Sequence, residues 1–169
     1  METTKSQISG KVRIQIYDES QNLKYSSENH NIVTAEGDAY IADLLSPTPT
    51  RTKITSGVGY IPVGTGWTGT NTKQNTWVNT QVGNAQVLDP SFPKTKGAWG
   101  ASDDNVLQYQ VTYPQGSLNV TGLNEAALTS HATNVSDNST LAYAQITPAA
   151  TVTATDVLII SWEITFEGK

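Results

Sequence analysis

Leu158, Ile160, Trp162, Ile164 and Phe166 stand at every second position of DVLIISWEITF, residues 156–166. Only an extended chain gathers such residues on one side, because successive side chains of a strand point to opposite faces. The same period recurs elsewhere. In KVRIQIY (11–17), Val12, Ile14 and Ile16 oppose Lys11, Arg13 and Gln15. In VLQYQVTY (106–113), Leu107, Tyr109, Val111 and Tyr113 share a face. DESQN reads as a turn leading from the first of these strands to a hairpin partner, LKYSSENHNIV. SLNVTGLNEAALTS and TLAYAQIT add two more strands. Short strands separated by turn signals predict an all-β protein, an antiparallel β-sandwich of jelly-roll type. Abundant threonine suits that class, because its branched Cβ fits a pleated surface. At 169 residues the chain is sized for a single domain spanning 1–169.

One segment breaks the period. TAEGDAYIADLLS (34–46) carries a capping threonine, Thr34, and acids Glu36 and Asp38 where a helix dipole favours them. Tyr40, Ile41, Leu44 and Leu45 recur at helical spacing, and Pro47 and Pro49 follow. This predicts one short amphipathic helix at about 35–45, plugging an open end of the sandwich. Residues 46–105 then form a long irregular insertion rich in Ser, Thr, Gly, Asn and Pro, with QNTWVNTQV (74–82) as its one candidate strand. A loop of that length inside a compact domain is usually functional or covers something.

Within the insertion, YIPVGTGWTGTNTK (60–73) matches G-x-G-x-x-G at Gly64, Gly66 and Gly69, with Asp89 at a suitable distance downstream. A dinucleotide site needs a helix to open inside those glycines, so that its amides hold the pyrophosphate. TNTKQNTWVNT follows instead, which has no helical apolar face, and no lysine stands in Walker A position. The glycines read as a tight loop, and no cofactor is expected. Other chemistry is sparse. His30 and His131 lack a surrounding motif, and Asp103-Asp104-Asn105 reads as a turn rather than a calcium loop. Glu125 and Glu163 are possible partners in a carboxylate pair that only the fold can make. No catalytic or metal site is predicted.

A net charge of −5 and the lack of any Lys/Arg cluster argue against a nucleic-acid surface. Arg51/Lys53 and Lys94/Lys96 are isolated pairs. No cysteine is present. METTKSQISG has no apolar run, and VLII (157–160) is too short to span a bilayer, so a soluble protein made in a cytoplasm, with no membrane partner, is expected. The sequons at Asn119, Asn134 and Asn138 read as chance products of a Thr/Asn-rich chain. Trp67, Trp77 and Trp99 carry two readings. They are either stacking platforms for sugar, or aromatic anchors buried against the domain or a neighbouring subunit.

Three stretches, in order, resemble small structural proteins of tailed bacteriophages. ENHNIVTAEGDAYIADLL resembles a strand of N-H-N-x-[IV] type running into a helix, and YIPVGTG a short strand ending in V/I-G-T-G. GLNEAALTS, LAYAQITPAATVTATDVLIISWEITF resemble a terminal block of strands. The likeness covers residues 25–66 and 120–166 and lapses in 67–105. It implies a non-enzymatic virion protein made in the host cytoplasm. The first expectation is a capsid decoration or cement protein, binding the head lattice as a homo-oligomer and contacting the major capsid protein. A tail, neck or baseplate component is the alternative, and a glycan-binding module using the loop tryptophans is a third. In this scheme Trp67, Trp77 and Trp99, with Gly64, Gly66 and Gly69 shaping their loop, supply the interface.

Overall fold

The computed structural model describes residues 7–135 and 140–167. The first six residues and the sequon at Asn138 lie outside them. The first hairpin forms as its alternation requires: β1 (Gln7–Tyr17) pairs antiparallel with β2 (Leu23–Val33). Asp18 makes the turn, its carboxylate accepting the amides of Ser20 and Asn22 at 2.9 Å each. Val12, Ile14 and Ile16 are wholly buried.

β2 then changes partners. Its residues up to His30 pair with β1, and Asn31–Val33 pair with β9 (Thr140–Val152). This strand turns the corner between two layers of one continuous sheet. On one side lie β1, β10 (Val157–Glu167), β7 (Val106–Tyr113) and β6 (Lys94–Thr95). On the other lie β9, β8 (Val120–Thr129), β3 (Tyr60–Ile61) and β5 (Gln86–Val87), with β4 (Val63–Gly64) also on β8. Every pairing is antiparallel. The all-β class with one short helix is what the chain adopts.

The sheet curls until its ends meet. Asp89, just past β5, donates its amide to the Gln110 carbonyl on β7 at 2.8 Å. Its carboxylate accepts the Thr112 amide at 2.9 Å, the Thr112 hydroxyl at 2.8 Å and the Gln110 amide group at 3.0 Å. The acid that stood at dinucleotide distance is thus a clasp between the two ends. Between the layers, Leu158, Ile160, Trp162 and Ile164 of β10 pack with the inner residues of β1, β7, β8 and β9. Phe166 and Leu107, also expected inward, are half-buried at the margin.

The helix is α1 (Ala35–Leu44). Thr34 caps it, its hydroxyl accepting the Gly37 amide at 2.8 Å and donating to the Thr140 carbonyl of β9. Tyr40 is buried, and its hydroxyl accepts the Ile54 amide at 2.7 Å. Leu45 departs from the expected apolar face. It is 82% exposed, because the helix ends at Leu44 and Leu45 forms the C-cap. The expected strand in 74–82 is also absent. That segment makes a single bridge, Gln81 to Gly64, because its apolar residues face the sheet rather than extend it.

The β9–β10 turn is held by Asp156, whose carboxylate accepts the Thr153 amide at 2.8 Å and meets the Lys24 ammonium at 2.8 Å. Burial alone would raise this carboxyl, but Lys24 and the Thr153 amide outweigh it and hold it below its ordinary value of 3.8. A carboxyl depressed on folding binds fewer protons in the folded state. Its stabilisation is complete above the unfolded value and is lost as pH falls through the folded one. Urea melts of wild type and Asp156→Asn should therefore differ at neutral pH and converge as the pH falls below the carboxyl's ordinary value of 3.8; a gap unchanged by acid would contradict the clasp.

Trp162 has no exposed surface, and its indole N–H has no hydrogen-bond partner. Trp162→Ala should lower the unfolding free energy by about 3–5 kcal/mol through the cavity it leaves. A denaturation midpoint equal to wild type would show that this face is not the core.

Candidate functional site

The site grows from a strand that is buried on both faces. On β8, Ala126 and Leu128 point into the core between the layers. Ala127 points the other way, where it packs with Tyr143, Trp77 and Val78, and with half-buried Trp67 and Ile32. The 64–81 segment therefore lies as an extra layer over the outer face of β8 and β9. Glu125 sits under that layer with no exposed surface.

A buried carboxylate is tolerated only when its lone pairs are filled. Five donors fill those of Glu125. Oε1 accepts the amides of Gly66 at 2.8 Å and Thr80 at 3.0 Å. Oε2 accepts the Asn79 amide at 3.0 Å, the Asn79 side-chain amide at 3.2 Å and the Tyr143 hydroxyl. Burial, and then the adjacent carboxylate, push the Tyr143 phenol well above its ordinary value, so it serves as a fixed donor.

This arrangement explains the glycines. A Cβ on Gly66 would lie 2.5 Å from the Thr80 hydroxyl and 2.6 Å from its amide nitrogen. A Cβ on Gly64 would lie 2.5 Å from Glu125 Oε1 and would strike the Thr80 carbonyl. The loop needs both to close on the carboxylate. Gly69 differs: it takes a positive φ of 102° at an open position. No helix follows these glycines. The Gly66 amide, which a phosphate loop would aim at its ligand, is committed to Glu125.

The three tryptophans have three fates. Trp77 is buried, its indole N–H donating to Gln81 at 3.1 Å. Trp67 is half-buried, donating to Asn71 at 2.9 Å. Trp99 is 100% exposed, at the tip of the β6–β7 turn. That turn is well braced. Gly97 donates to the Asp103 carbonyl at 3.1 Å, Ala101 to that of Ala98 at 2.9 Å, and Gly100 to the Asp104 carboxylate at 2.8 Å.

The other candidates are not brought together. Glu163 lies on β10, where it meets Lys96 at 3.2 Å, Lys11 at 3.7 Å and Gln108 at 2.9 Å, none of which touches Glu125. The proposed carboxylate pair does not form. His30 is exposed on β2, and His131 lies half-buried beyond β8. Among the described residues, no group of three or more His, Asp or Glu is placed to hold a metal ion. None of the helices described is long and apolar enough to cross a membrane. Sequence reasoning missed the Glu125–Asn79–Tyr143 cluster. Its one local signal was an acid inside the apolar strand GLNEAALT. No family model, curated protein or solved structure matches the chain.

Glu125→Ala would take their acceptor from the Gly66, Asn79 and Thr80 amides and from the buried Tyr143 hydroxyl. It should cost about 3–5 kcal/mol, as for a buried charged group removed from its partners. Glu125→Gln keeps the shape but turns a donor toward other donors, and should recover only part of that loss. Equal stability of both variants and wild type in urea would remove Glu125 from its central place.

Proposed function

We propose that this chain is a non-enzymatic structural subunit of a tailed-bacteriophage particle, a decoration protein that binds and stabilises the head lattice through oligomeric contacts. The ordered sequence likeness over residues 25–66 and 120–166 supports the phage context. The observation that carries the structural role is the division of labour within the insertion. Its glycine loop, which looked like a ligand site, is consumed in fastening the insertion to Glu125 of β8. Its fully exposed tryptophan, Trp99, is held in solvent by a hydrogen-bonded turn, as an interface anchor should be.

Immunogold electron microscopy of particles from the encoding phage tests this reading. Label distributed over the head at high copy is expected. Label confined to tail, neck or baseplate would move the protein to that assembly. Particles without label, together with glycan-array binding abolished by Trp99→Ala, would replace the structural role by sugar recognition.

A further inference from the structure

The braced turn that carries Trp99 joins β6 to β7, and those two strands also form one wall of an apolar cleft of about 570 Å³. Tyr40, Ile41 and Leu44 of α1 line it too, with Ile54, Leu107 and Phe166 among the other apolar residues. Leu45 stands at its rim, 82% exposed. The chain thus holds an exposed apolar knob beside an exposed apolar hole. The turn holds the knob out in solvent instead of letting it fill the hole next to it.

We infer that Trp99 of one copy inserts into this cleft of a second copy, and that the contact is reciprocal, making a two-fold dimer. Three features favour a second copy as the occupant. Knob and cleft lie on adjoining parts of one sheet edge, since Pro93, Lys94 and Thr95 line the cleft just ahead of the turn. Such closeness lets two molecules exchange the same contact twice, as an isologous interface requires. The charges also match. Lys53 and Lys94 stand exposed at the cleft, in no ion pair with the described residues, Lys94 lying over the Phe92 ring, while the turn that carries Trp99 also carries Asp103 and Asp104. Finally, Trp99 is the one aromatic among the described residues left fully exposed. A rigid, solvated tryptophan is the side chain that dominates interface energetics when buried.

This contact deepens the oligomeric part of the proposed role but stands apart from the phage assignment. Self-association of the purified protein tests it independently of particle labelling. Sedimentation velocity over a micromolar concentration series should show a monomer–dimer equilibrium. Trp99→Ala and Leu45→Arg alter exposed side chains, so both should keep the wild-type melting midpoint. Each should raise the dimer dissociation constant by at least about 30-fold, the loss expected of an interface hot spot. An equimolar mixture of the two variants pairs one intact knob with one intact cleft, and should associate more tightly than either alone. A wild-type protein monomeric throughout, or a dimer that both variants form as well as wild type, would overturn the inference.

Discussion

Glu125 is an ionisable group with no water around it, and much of the molecule is arranged so that it can stay there. Its two oxygens draw the amides of Gly66, Asn79 and Thr80 down onto β8. That pull turns a glycine- and threonine-rich loop into a third layer. Once the layer is in place, Ala127 and Tyr143 have something to pack against, and Trp77 and Val78 have somewhere to go. Threonines continue the seam: the Thr34 hydroxyl donates to the Thr140 carbonyl, and the Thr140 hydroxyl to the Thr76 carbonyl. Helix cap, strand and insertion are thereby tied along one line.

The same device recurs at smaller scale. Asp18 closes the β1–β2 turn, Asp156 the β9–β10 turn, and Asp89 the two ends of the curled sheet. In each case a carboxylate accepts a backbone amide, of a turn residue for Asp18 and Asp156 and of β7 for Asp89. Only 15% of residues are charged, and a good share of the acids fasten the chain to itself. The negative balance therefore needs no cationic partner to explain it.

The strands with strict alternation were legible in the sequence because their pattern is local: β1, β7 and β10 turn the expected faces inward, save Leu107 and Phe166 at the margin. The helix was legible from Thr34 and its acids, up to Leu45, whose exposure depends on where the last turn stops. What could not be read was anything requiring two distant segments. Glu125 read only as half of a possible carboxylate pair, because most of its partners are remote in sequence: the Thr80, Asn79 and Gly66 amides lie 45, 46 and 59 positions away. QNTWVNTQV resembled a strand because Trp77 and Val78 are good strand residues, yet they pack face-on against β8 and β9. The three tryptophans looked alike in sequence. Their burial was decided by whether the outer sheet face or open solvent lay beneath them.

The Gly64–Thr80 layer is fastened into the fold by Glu125 and does not lie loosely upon it. Native-state hydrogen exchange of individual amides measures this directly. The Gly66, Asn79 and Thr80 amides should exchange only by the opening that releases β8 and β9, with protection close to that of the strand core. Exchange of those three amides at the rate of an exposed loop, while β8 remains protected, would contradict the account.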